Sequence, residues 1–412
     1  MGQEYKRWLV ESTRKALKNR RVVAVSGARQ TGKTTLTRQA VGKDGAFRSL
    51  DTVALFRAAY DDPHEFVKNP DSSTMVIDEI QKVPQLISEI KLAVDNDNRP
   101  GQYLITGSTN LQTLAKIDDS LAGRIKHIRL RPLAIGELLG KKPRFLENLF
   151  SGEFPVQIKG YDKDAIFDMA FRGGYPEALR IDSASERREW HRDYLDSLIK
   201  KDLHDVENIR RLDAVRDLTK ILAAWSGKYM DKSKITASLE VSRPTLDVYS
   251  NALESLFIFE RVIPWIKTDY DLVGRKSKIY MTDTGLMTSM LNWKREDVML
   301  NPDTSGKLME TFVFQELAPL IDLDSEYSLY QYRDAKKREI DFIIEKENEA
   351  LAGIEVKAGR NVSKSDFAPQ IWFRDNIVKN RMPYRGTILY SGEDTLSFGD
   401  GMYAIPIAAL WM

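Results

Sequence analysis

The chain has 412 residues, 42% hydrophobic and 30% charged, with a formal net charge of +2 at pH 7. This is the profile of two or three globular domains, and no apolar run is long enough to span a membrane. The near-neutral charge argues against a dedicated nucleic-acid coat but leaves room for a local basic patch. Zero cysteines exclude disulfides and thiolate metal sites. The four histidines, His64, His127, His191 and His204, have no ligand spacing, so no zinc site is expected. The first twenty residues carry no apolar signal-peptide core, and a cytoplasmic protein is expected.

Residues 3–19 place Trp8, Leu9, Ala16 and Leu17 among Lys and Arg, the pattern of an amphipathic helix. The apolar run Val22-Val23-Ala24-Val25 reads as a buried strand. It leads into Gly27-Ala28-Arg29-Gln30-Thr31-Gly32-Lys33-Thr34, which matches G-x-x-x-x-G-K-[ST], and Thr35 to Val41 reads as the start of a helix. In that strand–loop–helix setting the glycines turn backbone N–H groups toward a nucleotide's β- and γ-phosphates. The helix N-terminus adds its positive end. Lys33 would reach the phosphates, and the Thr34 hydroxyl would coordinate Mg2+. Residues 27–35, Thr35 included, are therefore the candidate ATP-binding loop.

Phe47 to Asp51 reads as a second short strand, and residues 52–70 as helical with a break at Asp62-Pro63. Thr74-Met75-Val76-Ile77-Asp78-Glu79 is an apolar strand ending in two carboxylates, the Walker B pattern. Asp78 would hold the Mg2+ shell, and Glu79 would orient or deprotonate the attacking water. Gly101 to Ser108 is another apolar strand, with Thr109, Asn110 and a helix at 111–116 to follow. Leu121-Ala122-Gly123-Arg124 precedes a strand from Ile125 to Leu130. Arg124 is a candidate arginine finger for a neighbouring subunit, which implies a homo-oligomer; the alternative is a cation placed favourably at a helix C-terminus.

These motifs are dense enough to carry a resemblance. GARQTGKTT, VIDEIQ, ITGS, SLAGR and RPLAIGEL make residues 1–180 similar to the ATPase half of an AAA-type family of bacteria and archaea. The resemblance implies a parallel sheet between helices with ATP at its C-terminal edge. It implies a γ-phosphate sensor at the end of the fourth strand, Ser108 or Asn110, with turn chemistry as the alternative. It also implies that the Arg172-Gly173-Gly174-Tyr175-Pro176-Glu177 turn brings Tyr175 and Pro176 near the nucleotide; a plain tight turn is the other reading. Residues 190–412 resemble the domain of unknown function that usually follows this ATPase.

Residues 184–226 are helical in character. Residues 228–290 read as a winged helix: a short helix from Ser233 to Leu239, a turn at Glu240-Val241-Ser242, and a second helix from Ser242 to about Leu256. Two wing strands follow, Phe257 to Ile263 and Lys278 to Asp283, with 267–278 as the wing. The second helix offers only Arg243 and Asn251 for base reading, beside Asp247 and Glu254. Lys267, Arg275, Lys276 and Lys278 would serve backbone contact, and a protein or oligomer contact is the equal alternative.

Between 305 and 412 a third cluster emerges. Gly306 to Leu320 reads as a helix carrying Glu310. Leu329 to Tyr332 is a strand, Arg338 to Ile344 a second bearing Asp341, and Ile354 to Lys357 a third whose alternation puts Glu355 and Lys357 on one face. This order resembles the PD-(D/E)XK nuclease superfamily. It implies Mg2+ held by Asp341 and Glu355, support from Glu310, and Lys357 activating water. The expected fold is thus α/β. A P-loop AAA-type ATPase domain with a parallel sheet (1–180) leads to a helical segment and winged helix (181–300), then to an α/β restriction-endonuclease-like domain (301–412). The expected function is Mg2+-dependent ATP hydrolysis coupled to a DNA- or RNA-handling module with nuclease chemistry. The alternative is a nucleotide-switched regulator whose C-terminal domains only bind partners.

Overall fold

The run Val22–Ser26 is apolar on both faces, and every residue of it is buried. In a computed structural model describing residues 5–68, 73–108, 121–206, 209, 211–266, 276–379 and 381–412, it is the interior strand β1 of a five-stranded sheet. Its partners are β2 (Ala46–Ser49), β3 (Met75–Asp78), β4 (Tyr103–Gly107) and β5 (Ile125–Arg129), in the order β2-β3-β4-β1-β5. Every pairing is parallel, as expected for strands apolar on both faces and covered by helices. Parallel register brings all C-terminal ends to one edge: Ser26 stands beside Gly107 and Arg129. The loops after β1, β3 and β4 therefore meet there. The helix Leu86–Asn96 seals one face with Leu86, Ile87, Ile90 and Val94 against Val22, Ala24, Met75, Ile77 and Ile105.

The chain divides into two units, Met1–Leu133 with Ser255–Phe257, and Ala134–Glu254 with Ile258–Met412. The first unit holds the parallel sheet. Residues 134–180 cluster with the second.

In the second unit the helices Leu212–Ala224, Lys232–Leu239 and Arg243–Ser255 are interleaved with a small antiparallel sheet, β6 (Lys228–Tyr229), β8 (Lys278–Met281) and β7 (Phe259–Val262), in that order. Ser242 caps the third helix through its Oγ, which accepts the Thr245 N–H at 3.2 Å. The wing residues Lys267 and Arg275 lie outside the described residues. The helix Pro302–Leu323 follows, started by Asn301 accepting the N–H groups of Asp303 and Thr304 with Pro302 at its first position. It leads to a six-stranded mixed sheet: β9 (Tyr327–Arg333), β10 (Glu339–Lys346), β11 (Ala350–Lys357), β12 (Tyr384–Tyr390), β13 (Leu396–Gly399) and β14 (Met402–Pro406). The spatial order is β13-β14-β12-β11-β10-β9. Among the described residues no helix is long and apolar enough to cross a membrane.

Candidate active site

The loop after β1 is shaped by what its residues cannot be. A Cβ on Gly27 would lie 2.2 Å from the Leu130 carbonyl oxygen, so only glycine fits. Gly32 sits at φ +93 and caps the helix Lys33–Val41, a left-handed conformation that costs glycine little. The Lys33 ammonium curls back over the loop, donating to the carbonyls of Gly27 at 3.0 Å and Ala28 at 2.9 Å. Thr31 Oγ1 donates to the Ala28 carbonyl at 2.8 Å. From ahead of the first helix, the buried Arg7 guanidinium braces the loop by donating to the carbonyls of Thr31 (2.6 Å) and Arg131 (2.7 Å). Sequence reasoning missed Arg7, which looked like one more cation on an amphipathic polar face.

Across the sheet edge Asp78 ends β3, and its Oδ2 accepts the Thr34 hydroxyl at 3.2 Å. A hydroxyl and a carboxylate side by side at the start of a phosphate loop are a hard oxygen set suited to Mg2+, which keeps several waters and takes further ligands from phosphates. Thr106 on β4 donates its hydroxyl to Asp78 Oδ1 and accepts the Glu79 N–H at 3.3 Å. Glu79 is held at φ +60, a left-handed conformation unusual for a side-chain-bearing residue and typical of functional sites. The Gln81 amide donates both to Glu79 Oε2 and to Ser108 Oγ, the latter at 3.0 Å. Ser108 is buried and meets the Glu79 carboxylate through this amide; Asn110 lies outside the described residues. Thr106 and Gln81 were visible as letters of the motifs, but no pattern announced that they clamp the two acids.

Two other expected residues make contacts of their own. Arg124 immediately precedes β5, whose first residue pairs with Val22, so it stands at the opposite sheet edge from the phosphate loop. Its Nε lies 2.5 Å from Asp95 Oδ1, and Nη1 donates to the Ala122 carbonyl at 3.1 Å. Within one chain it does not serve the loop.

The glycine turn at 173–174 is explained by Asp283. A Cβ on Gly173 would lie 2.4 Å from Asp283 Oδ1, and the Gly174 N–H donates to Oδ2 at 2.6 Å. Burial pushes the Asp283 carboxyl up to about 6, against the N–H groups it accepts. Tyr175 is fully buried, its ring centroid 4.8 Å from that of Tyr194 and 5.8 Å from that of Trp190. Tyr175 is thus enclosed in an aromatic cluster; neighbouring Pro176 is half-buried.

The acidic residues of the C-terminal region converge, but on an ammonium. Lys278 on β8 is 2% exposed, with Nζ 2.6 Å from Glu310 Oε1, 2.7 Å from Glu339 Oε1 and 2.9 Å from Asp341 Oδ1. The Tyr280 hydroxyl donates to Glu310 Oε1 at 2.6 Å, and Asp341 Oδ2 accepts the Val356 N–H at 3.0 Å. Burial works against the charge on Lys278, but Asp341 and Glu310 outweigh it and hold its pKa well above the ordinary value. Burial and then Asp341 push Glu310 up to about 7, against the opposing pull of Lys278. Burial and Asp341 likewise raise Glu355, whose Oε2 has no hydrogen-bond partner among the described residues. Lys357 pairs with Asp366 at 3.2 Å. The Lys278 ammonium thus contacts Asp341, one of the two residues expected to hold Mg2+. Among the described residues no group of three His, Cys, Asp or Glu side chains is arranged to hold a metal. Lys278 had read as a wing-strand cation for backbone contact; its partner Asp341 is 63 residues away.

Comparison with known proteins matches residues 19–139 to a model described as AAA domain, and residues 163–297 and 305–410 to two described as domains of unknown function, DUF8612 and DUF4143. An AAA-type ATPase domain occupies residues 19–139. The uncharacterized protein Rv2008c of Mycobacterium tuberculosis is 26% identical over 398 residues, covering 95% of this chain and 81% of that one. The uncharacterized protein MJ1544 of Methanocaldococcus jannaschii is 24% identical over 409 residues, with 95% and 87% covered. Among solved structures, the Walker-type ATPase PABY2304 of Pyrococcus abyssi aligns with a TM-score of 0.40 at 14% identity, over 70% of this chain and 96% of that one.

Proposed function

We propose that the chain is a Mg2+-dependent ATP hydrolase whose second unit binds partners instead of cutting nucleic acid. The observation that carries the ATPase reading is the meeting of Thr34 Oγ1, Asp78 and the strained Glu79 at one sheet edge. Residues 27–35 cradle the phosphates, with Lys33 exchanging its loop carbonyls for phosphate oxygens. Thr34 and Asp78 would hold Mg2+, which would supply positive charge against the phosphates. Glu79 orients the attacking water and takes its proton, while Gln81 couples that carboxylate to Ser108. Arg124 serves a neighbouring copy in a homo-oligomer after release from Asp95. The setting is cytoplasmic.

For the second unit, three helices with a small antiparallel sheet support a winged helix. The order helix, three strands, helical segment and strand supports a PD-(D/E)XK-like fold. DNA or RNA is the partner class such a pair fits. Lys278 in the acidic cluster favours binding over cleavage. The unpartnered Glu355 Oε2 favours the second reading, a nuclease that forms once Lys278 is displaced. The test offers ATP, DNA and RNA with Mg2+ or Mn2+. The proposal expects phosphate release from ATP and intact nucleic acid, alike for the natural chain and Asp341→Ala. Cleavage lost in Asp341→Ala would establish the second reading.

A further inference from the structure

The second unit carries 40 Lys and Arg against 45 Asp and Glu, yet positive charge concentrates locally within it. Two cavities of about 770 and 650 Å3 share Ser289 and form one groove. One wall is the helix Ala184–Val206, on which Arg188 and Arg192 stand one turn apart; the other is the segment 288–296. The first cavity is lined by five basic and two acidic side chains, the second by three basic and one acidic. Arg295 and Arg216 are answered by Asp164, Asp168, Asp196 and Asp213. Arg172, Arg188, Lys294 and Lys220 have no ion pair among the described residues. Arg187, buried between Arg172 and Arg188, donates to the Ile181 carbonyl at 2.6 Å. Burial, then those two neighbouring charges, lower its pKa. Guanidiniums crowded in a cleft with so few carboxylates leave an electrostatic deficit that a multivalent anion relieves.

We infer that this groove binds the backbone of a single-stranded nucleic acid. From Arg188 to Asp196 the helix rises roughly 12 Å, enough to follow a few nucleotides of one strand. The guanidinium fork matches phosphate oxygens. Trp293 lines the same cavity and offers a ring for base stacking. A single strand presents both phosphates and bases to such a cleft. The site is separate from the wing and from the ATP loop, so it stands whether or not either of those acts as proposed.

The test titrates the full chain with fluorescent oligothymidylate and oligouridylate at 50 to 200 mM salt. The natural chain is expected to bind at least one, the stronger of the two identifying DNA or RNA. Arg188→Glu with Arg192→Glu is expected to weaken binding about tenfold or more and to flatten the salt dependence by about 1.4 in slope, two phosphate contacts' worth. Arg188→Lys with Arg192→Lys retains binding, and unchanged melting and ATP hydrolysis in both variants show that the fold is intact. No binding by the natural chain, a double Glu variant that binds equally well, or polyglutamate competing as strongly as the oligonucleotides would overturn the inference; the last would assign the groove to an acidic peptide.

Discussion

Glu79→Gln is expected to bind ATP as tightly as the natural chain and to release phosphate about a hundredfold to ten-thousandfold more slowly, the usual loss when a general base is removed. The amide keeps the side chain's size and a hydrogen-bond acceptor for Gln81, whose amide holds Glu79 Oε2, so binding geometry is preserved while proton acceptance is lost. Lys33→Ala separates the steps from the other side. It removes the cation that now rests on the Gly27 and Ala28 carbonyls and is expected to abolish nucleotide binding itself. Equilibrium binding of a fluorescent ATP, followed by single-turnover phosphate release, distinguishes the two variants. Release from Glu79→Gln at the natural rate would remove Glu79 from the mechanism.

Lys278→Met has the largest expected effect on stability. The methionine fills the space but leaves Glu310, Glu339 and Asp341 facing one another without their shared ammonium. Breaking a buried ion pair from one side costs about 3–5 kcal/mol. The loss depends on pH. Glu310 already stands at about 7 against an ordinary 4.5, and removing Lys278 takes away a charge that lowers it. A carboxyl whose folded pKa exceeds its unfolded value favours the fold when protonated; that contribution is complete below about 4.5 and is lost as pH rises through the folded value. The variant is therefore expected to be less destabilised at pH 5 than at pH 8. Thermal melting at the two pH values checks it, and equal melting of variant and natural chain at both would show that the ammonium does not hold the cluster together.

What could be read ahead of the structure was contiguous. The phosphate loop and the Asp78-Glu79 strand end are short runs whose letters imply their backbone shape. A parallel sheet then brings Thr34 to Asp78 across 44 residues, because strands apolar on both faces align their C-terminal ends. The rest depended on contacts that no local pattern encodes. Arg7 caps the Thr31 carbonyl, and Asp283 explains Gly173 through the space its carboxylate fills. Lys278 pairs with Glu310 and Asp341, two of the three acids whose order suggests a shared site, but it comes from a strand outside that pattern. A buried lysine and a solvated one look alike in sequence.

In the proposed function the ATP loop is the chain's divalent-cation site, while Lys278 neutralises the second acidic cluster. Counting bound Mn2+ by electron paramagnetic resonance, with and without a non-hydrolysable ATP analogue, tests that division most directly. The expected result is one Mn2+ per chain, bound only with the nucleotide, lost in Asp78→Ala and retained in Asp341→Ala. A second Mn2+, or one bound without nucleotide and lost in Asp341→Ala, would contradict it.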